Sequence, residues 1–138
     1  MEITQKYLNE LTYKIIGCAI EVHKYLGPGL LESVYEKCFA KEFVLKAIEF
    51  KTQLWLPVEY KGLQINAELR VDFLVEELIL VELKAIESIL PVHEAQILTY
   101  MKLMQKPKGI LINFNCTNIF KEGQKTFVNE YYANLLKE

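Results

Sequence analysis

Residues 70–84 read RVDFLVEELILVELK: two apolar segments around Glu76 and Glu77, with Asp72, Glu82 and Lys84 set among Val, Leu, Ile and Phe. In a β-strand, residues two apart share a face. Glu82 and Lys84 therefore project with Leu80, away from Ile79, Val81 and Leu83, while Asp72 shares its face with Arg70 and Leu74. Whether the acids meet depends on the hairpin register. A two-residue Glu76–Glu77 turn pairs 75 with 78 and sets Asp72 opposite Val81, on the wrong face. A three-residue loop, 76–78, pairs 72 with 82 and 70 with 84, and gathers the polar residues on one face. That loop, or an equivalent bulge, is the expected one, because a one-residue slip sends every side chain to the other side of the sheet.

Two carboxylates brought that close repel unless a proton or a cation lies between them. Hard divalent ions such as Mg²⁺ and Mn²⁺ prefer carboxylate, carbonyl and water oxygens. A lysine two residues beyond one ligand can reach a water or a phosphate oxygen held there, so the set suits metal-assisted hydrolysis of a phosphodiester. Taken alone, D…ExK is weak, because the exposed face of an edge strand carries an acid and a lysine equally well.

Outward from this stretch the chain alternates helix and strand patterns. Leu8, Leu11, Ile15, Cys18, Val22 and Tyr25 recur at helical spacing, which predicts a helix over 3–25 stopped by GPG at 27–29. Leu31, Val34, Cys38 and Phe39 predict a second helix to about residue 47. TQLWLPVEYKG predicts a strand with Leu54, Leu56 and Val58 alternating and a turn at Lys61–Gly62. LQINAELRVDFLV and LILVELKAI follow as strands, and the three form an antiparallel meander. Pro91 opens a helix over 91–104, where proline suits the first turn, and it crosses over to the apolar strand GILINF. The tail is expected to hold a strand near NIF (118–120) and then a helix in FVNEYYANLLKE. The order α-α-β-β-β-α-β, with a further β and α, predicts an α/β layer architecture: a mixed sheet flanked by helices.

Two more clusters carry polar chemistry at helical spacing. Glu32 and Tyr35 follow Gly29 in GLLESVYE, three apart on one face. In HEAQILTY, His93, Gln96 and Tyr100 fall at i, i+3, i+7. Plainer roles compete: Glu32 suits a helix N-terminus, the tyrosines suit packing, and His93 suits capping.

The 138 residues fit one domain, 1–138, with 51% hydrophobic and 25% charged residues. A net charge of −2 lacks the basic field of a sequence-independent DNA binder. No apolar run approaches the ~20 residues that span a bilayer, and the N-terminus is polar, unlike a signal peptide. A cytoplasmic protein is expected. Cys18, Cys38 and Cys116 form neither a CxxC pair nor a zinc spacing and read as free thiols.

GPGLLESVYEKCF, LPVEYKG, LRVDFLVEELILVELKAI, HEAQILTYMKL and GILINF, in this order and spacing, resemble the GxxExxY proteins, a group within the PD-(D/E)XK nuclease superfamily. The resemblance covers nearly the whole chain. It implies a restriction-endonuclease-like core with a mixed sheet of four to five strands. It also implies a metal site in which Asp72 and Glu82 are ligands, with the Leu83 backbone carbonyl and Glu32 beside them. Lys84 completes the (D/E)XK pair, and Gln96 and Tyr100 match a QxxxY element on the following helix. Val71 departs from the superfamily's nominal proline, a position with no metal-binding side chain. The implied function is a Mg²⁺- or Mn²⁺-dependent nuclease acting on nucleic acid, DNA in the first instance. The alternatives are a catalytically silent nuclease-fold module that binds nucleic acid or protein, and a nucleotide phosphohydrolase. One small domain carries one such centre, so cutting both strands of a duplex would call for a homodimer.

Overall fold

Thr4 Oγ1 accepts the Tyr7 N–H at 3.1 Å and starts helix α1 (Gln5–Leu26), which ends at Gly27 with φ of 68°. The computed structural model of the chain describes residues 2–65 and 69–138. Leu8, Leu11, Ile15, Cys18 and Val22 are buried along one side of α1, as the spacing requires; Tyr25, at the fraying end, is 84% exposed.

Helix α2 (Glu32–Leu45) buries a different face from the one expected. Leu31 and Val34 are exposed, and the buried residues are Tyr35, Phe39 and Phe43, at i, i+4, i+8. Aromatic packing decides this. Tyr35 stacks on Phe114 with centroids 4.3 Å apart, Phe39 and Phe43 meet at 4.8 Å, and both reach Phe73. Rings of that size bury more apolar area than Leu or Val, and their pairing adds to it.

The expected strand over TQLWLPVEYKG is two strands. Strand β1 (Phe50–Trp55) stops before Pro57, which has no N–H for a ladder. Strands β2 (Val58–Tyr60) and β3 (Leu63–Ile65) then form a separate hairpin. Lys61 and Gly62 both have positive φ, as a two-residue type I′ turn requires. Part of the expected strand LQINAELRVDFLV, residues 66–68, lies outside the described residues. Strand β4 (Arg70–Val75) pairs antiparallel with β1 and with β5 (Ile79–Lys84), so the meander is β1-β4-β5 with the β2–β3 hairpin inserted.

Helix α3 (Pro91–Met104) carries the chain across to β6 (Lys108–Asn113), which runs parallel to β5. The tail differs from expectation. A single π-helical turn spans Ile119–Gly123, the strand is β7 (Gln124–Val128), and the helix α4 (Glu130–Ala133) has only four residues. Phe127 is the one side chain of β7 that is buried, and Asn129 caps α4, accepting from the Tyr131 and Tyr132 N–H groups. An exposed edge strand with one anchor carries little apolar alternation, which hid it in the sequence.

The result is a five-stranded mixed sheet in the order β1-β4-β5-β6-β7. α1 and α2 cover one face over Phe73, Val75, Ile79, Val81, Leu83, Ile110 and Ile112. α3 covers the other through Ile97, Tyr100 and Met101, over Leu74, Leu80 and Leu111. Gly109 permits this close approach, since a Cβ there would lie 2.7 Å from Met101 Sδ. No helix among the described residues is long and apolar enough to cross a membrane.

Candidate metal centre

The β4–β5 register pairs Phe73 with Val81, Leu74 with Leu80 and Val75 with Ile79, closing the three-residue loop 76–78. Leu78 N–H donates to Val75 O at 2.9 Å, and Glu76 and Glu77 both adopt positive φ. Continuing that register sets Asp72 opposite Glu82, and there the ladder gives way to side chains. Asp72 N–H donates to Glu82 Oε1 at 2.9 Å, and Leu83 N–H donates to Asp72 Oδ2 at 2.8 Å. Each carboxylate thus accepts a main-chain N–H from the other acid's strand, which fixes both side chains at the end of the β4–β5 pair.

This pair is electrostatically unfavourable as it stands. Glu82 is only 7% exposed. Burial and then the neighbouring Asp72 push its carboxyl up to about 8, against the pull of the Asp72 N–H and of Lys84. Asp72 is also raised, first by burial and then by the negative charges of Glu36 and Glu32, while the Leu83 N–H and Lys84 oppose the shift. Four acids thus act on one spot against one lysine.

Glu32 sits exposed in the first turn of α2, presented by the GPG loop. Buried Tyr35 ties that loop down: its hydroxyl donates to Gly27 O at 2.6 Å and accepts from the Leu30 N–H at 3.2 Å. Gly29, between those anchors, has φ of 98°, a conformation that suits glycine. The spacing of Gly29, Glu32 and Tyr35 therefore has a mechanical basis: a turn, an acid presented toward the pair, and an anchor. Tyr35→Phe keeps the stack on Phe114 but frees the loop. It is expected to cost about 1 kcal/mol of stability, read as a lower Tm, and to weaken divalent-ion binding in a calorimetric titration.

On α3, Gln96 Nε2 donates to the Tyr100 hydroxyl at 2.8 Å. Tyr100 is 5% exposed, and burial first and the Glu82 charge among the further causes raise its pKa, so its hydroxyl stays protonated beside the pair. His93 stands apart. Its Nδ1 accepts the Leu90 N–H at 2.9 Å, an N-terminal cap of α3. Lys84 is half-buried at the end of β5, and its carbonyl accepts the Phe114 N–H at 2.9 Å.

Three contributors went unnoticed in the sequence. Glu36 lies one helical turn beyond Glu32, and its negative charge helps to raise the Asp72 carboxyl; the i, i+4 spacing was the available signal. Glu36 accepts a hydrogen bond from Gln53 Nε2. Gln53, with φ of 54°, stands where the β1–β4 register passes Asp72, and its Oε1 is buried without a partner among the described residues. Asn113 donates to Ile86 O at 2.9 Å and accepts the Ile86 N–H at 3.1 Å, pinning the segment that leaves Lys84. Its signal was a polar residue directly after the apolar run Ile110–Leu111–Ile112.

Whether a divalent ion fits is decided by the donors. All are hard oxygens, and the Asp72–Glu82 pair gains from a positive charge, so the chemistry fits Mg²⁺ or Mn²⁺. Among the described residues, no three His, Cys, Asp or Glu side chains converge into a ready cage. The two carboxylates that the structure does bring together are those of Asp72 and Glu82.

A mixed sheet with a parallel β5-α3-β6 crossover, and D…ExK at the ends of its two central strands, defines a restriction-endonuclease-like α/β fold. Residues 9–127 match the model of the PD-(D/E)XK nuclease superfamily, and the chain belongs to that superfamily. No curated protein and no solved structure matches it significantly.

Proposed function

We propose that the protein is a divalent-metal-dependent nuclease that hydrolyses phosphodiester bonds in nucleic acid, DNA in the first instance. Asp72, Glu82 and the Leu83 carbonyl would hold Mg²⁺ or Mn²⁺, with Glu32, outside any three-acid cluster, acting on the ion from beside them. The observation that carries this is the reciprocal exchange between Asp72 and Glu82, which holds a buried and a half-buried carboxylate together. An ion bound there supplies Lewis acidity to the phosphate and a more acidic water. Lys84 orients the attacking water and offsets the charge that develops on the phosphate oxygens. Tyr100, accepting from Gln96, keeps its own proton for donation to a phosphate oxygen. Tyr35, Gln53 and Asn113 are positioning residues.

The remaining parts of the proposal follow the sequence resemblance: a GxxExxY protein, one domain over 1–138, working in the cytoplasm, and paired as a homodimer where both strands of a duplex are cut. The second reading, a catalytically silent nuclease-fold module that binds nucleic acid or protein, draws on the net charge of −2.

The test is a purified sample offered single-stranded DNA, duplex DNA and RNA with Mg²⁺ or Mn²⁺, beside a calorimetric metal titration. Cleavage of at least one substrate and saturable metal binding are expected. Failure of all three substrates together with absent metal binding would sink the proposal; metal-independent binding of a substrate without cleavage would favour the silent module.

A further inference from the structure

The chain has a single tryptophan, and it is not in the core: Trp55, the last residue of β1, is 59% exposed. Tryptophan is highly buried on average, so a ring left open on an edge strand needs a reason. The register pairs Trp55 with Arg70, and the Arg70 guanidinium lies 5.5 Å from the ring centroid, a cation–π contact.

Arg70 is two residues before Asp72 on β4, which at the rise of a strand is about 7 Å along the chain. The Trp55–Arg70 pair therefore sits one side-chain row from the carboxylate pair. A groove of about 420 Å³ opens beside this row, lined by Lys37, Glu36, Thr52, Gln53 and Arg70 among others. Two of its lining residues are cationic, Lys37 from α2 and Arg70 from β4, and Gln53, which also lines it, bonds to Glu36, whose charge acts on Asp72. A second exposed aromatic–cation pair, Tyr60 with Lys61 Nζ 5.3 Å from its centroid, lies on the hairpin that continues β1.

We propose that Trp55 and Arg70 form a stacking platform for an unpaired base next to the scissile phosphate, so that the substrate is a single-stranded segment of nucleic acid. The proposal rests on the nuclease reading above and narrows its substrate. An aromatic face accepts any base that is free of its partner, and a nearby guanidinium pairs with the adjoining phosphate. A base inside a duplex presents no such face. The platform recognises the flat base and the backbone charge, not the sequence. Pairing of a second copy along the same edge strand is the competing outcome, and the experiment separates it.

Because Trp55 is the sole tryptophan, its fluorescence reports the platform directly. Lys84→Ala protein with Mg²⁺ would be titrated with fluorescein-labelled single-stranded DNA, single-stranded RNA and blunt duplex DNA, following tryptophan emission and label anisotropy together. Saturable quenching by the single strands is expected, with weaker binding of the duplex. Trp55→Ala should lower single-strand affinity about tenfold or more, and Trp55→Phe should recover part of it; Trp55 is exposed, so the fold should hold in both variants. Unchanged emission at saturating anisotropy, equal affinity in Trp55→Ala, an equal loss for duplex, or no binding of any of the three would overturn the platform. So would emission that changes with protein concentration alone, which marks self-association. Wild-type cleavage distinguishes the two proposals: cleavage with an unchanged KM in Trp55→Ala leaves the nuclease and removes the platform, whereas quenching without any cleavage leaves the platform and removes the nuclease.

Discussion

Lys84→Ala is expected to lower kcat for phosphodiester cleavage by roughly 10²–10³-fold, the usual loss when one charge-stabilising donor is removed from a transition state, with metal affinity little changed. Lys84 is half-buried at the end of β5, with the strand below it fixed by the Phe114 N–H on its carbonyl and by Asn113 on the next turn of chain. Truncating the side chain leaves that main-chain frame in place, so the variant should fold and melt close to the wild type. Asp72→Ala should behave differently. It removes both a candidate ligand and the acceptor for the Leu83 N–H, so metal binding and cleavage should disappear together. Single-turnover cleavage and a metal titration on each variant separate the two roles. Loss of cleavage in Lys84→Ala that only tracks a change in metal affinity would contradict a separate catalytic role for Lys84.

The metal-free protein should be stabilised by neutralising one member of the pair. Glu82→Gln keeps an oxygen for the Asp72 N–H and removes a buried charge whose neighbours are Asp72 and Glu32. Relief of about 1–3 kcal/mol corresponds to roughly 3–12 °C in Tm for a chain of this size, seen at pH 8 in EDTA. The pH dependence has a definite sign. With a folded pKa of about 8, against an ordinary value of 4.5, folded Glu82 holds its proton across a window in which the unfolded chain has lost it. Stability from this group is complete below about pH 4.5 and declines as pH rises through 8. Wild-type Tm in EDTA should therefore fall across that window more steeply than the Tm of Glu82→Gln. Mg²⁺ should restore wild-type stability chiefly at the alkaline end, where the ion replaces the proton. A wild-type Tm that is flat with pH and indifferent to Mg²⁺ would speak against a coupled buried pair.

Parity and register made the centre of this fold readable. The alternation in RVDFLVEELILVELK assigned Ile79, Val81 and Leu83 to one face and Leu80 to the other, and the two cores divide them that way. Demanding that Asp72 and Glu82 share a face selected the three-residue loop, which the register 75↔79 has. The crossover helix and the parallel β5–β6 pair followed from Pro91 and an apolar strand. The edges were harder, because their side chains answer to solvent and to partners far along the chain. Pro57 broke an apparently continuous strand, β7 carries one buried anchor, and α2 turned its aromatic face inward although Leu31 and Val34 advertised another. At the candidate site, Glu32, Gln96 and Tyr100 were visible as helical spacings. Gln53 was not, since only the β1–β4 register brings it beside Asp72, and Glu36 was overlooked beside its more conspicuous neighbour.

The claim that everything else depends on is that Asp72 and Glu82 hold a divalent ion. Anomalous scattering from a crystal soaked in Mn²⁺ tests it most directly. A single strong peak between the two carboxylates, with Glu32 and the Leu83 carbonyl beside it, is the predicted result. Anomalous density absent from that position, or found only elsewhere on the molecule, would contradict it.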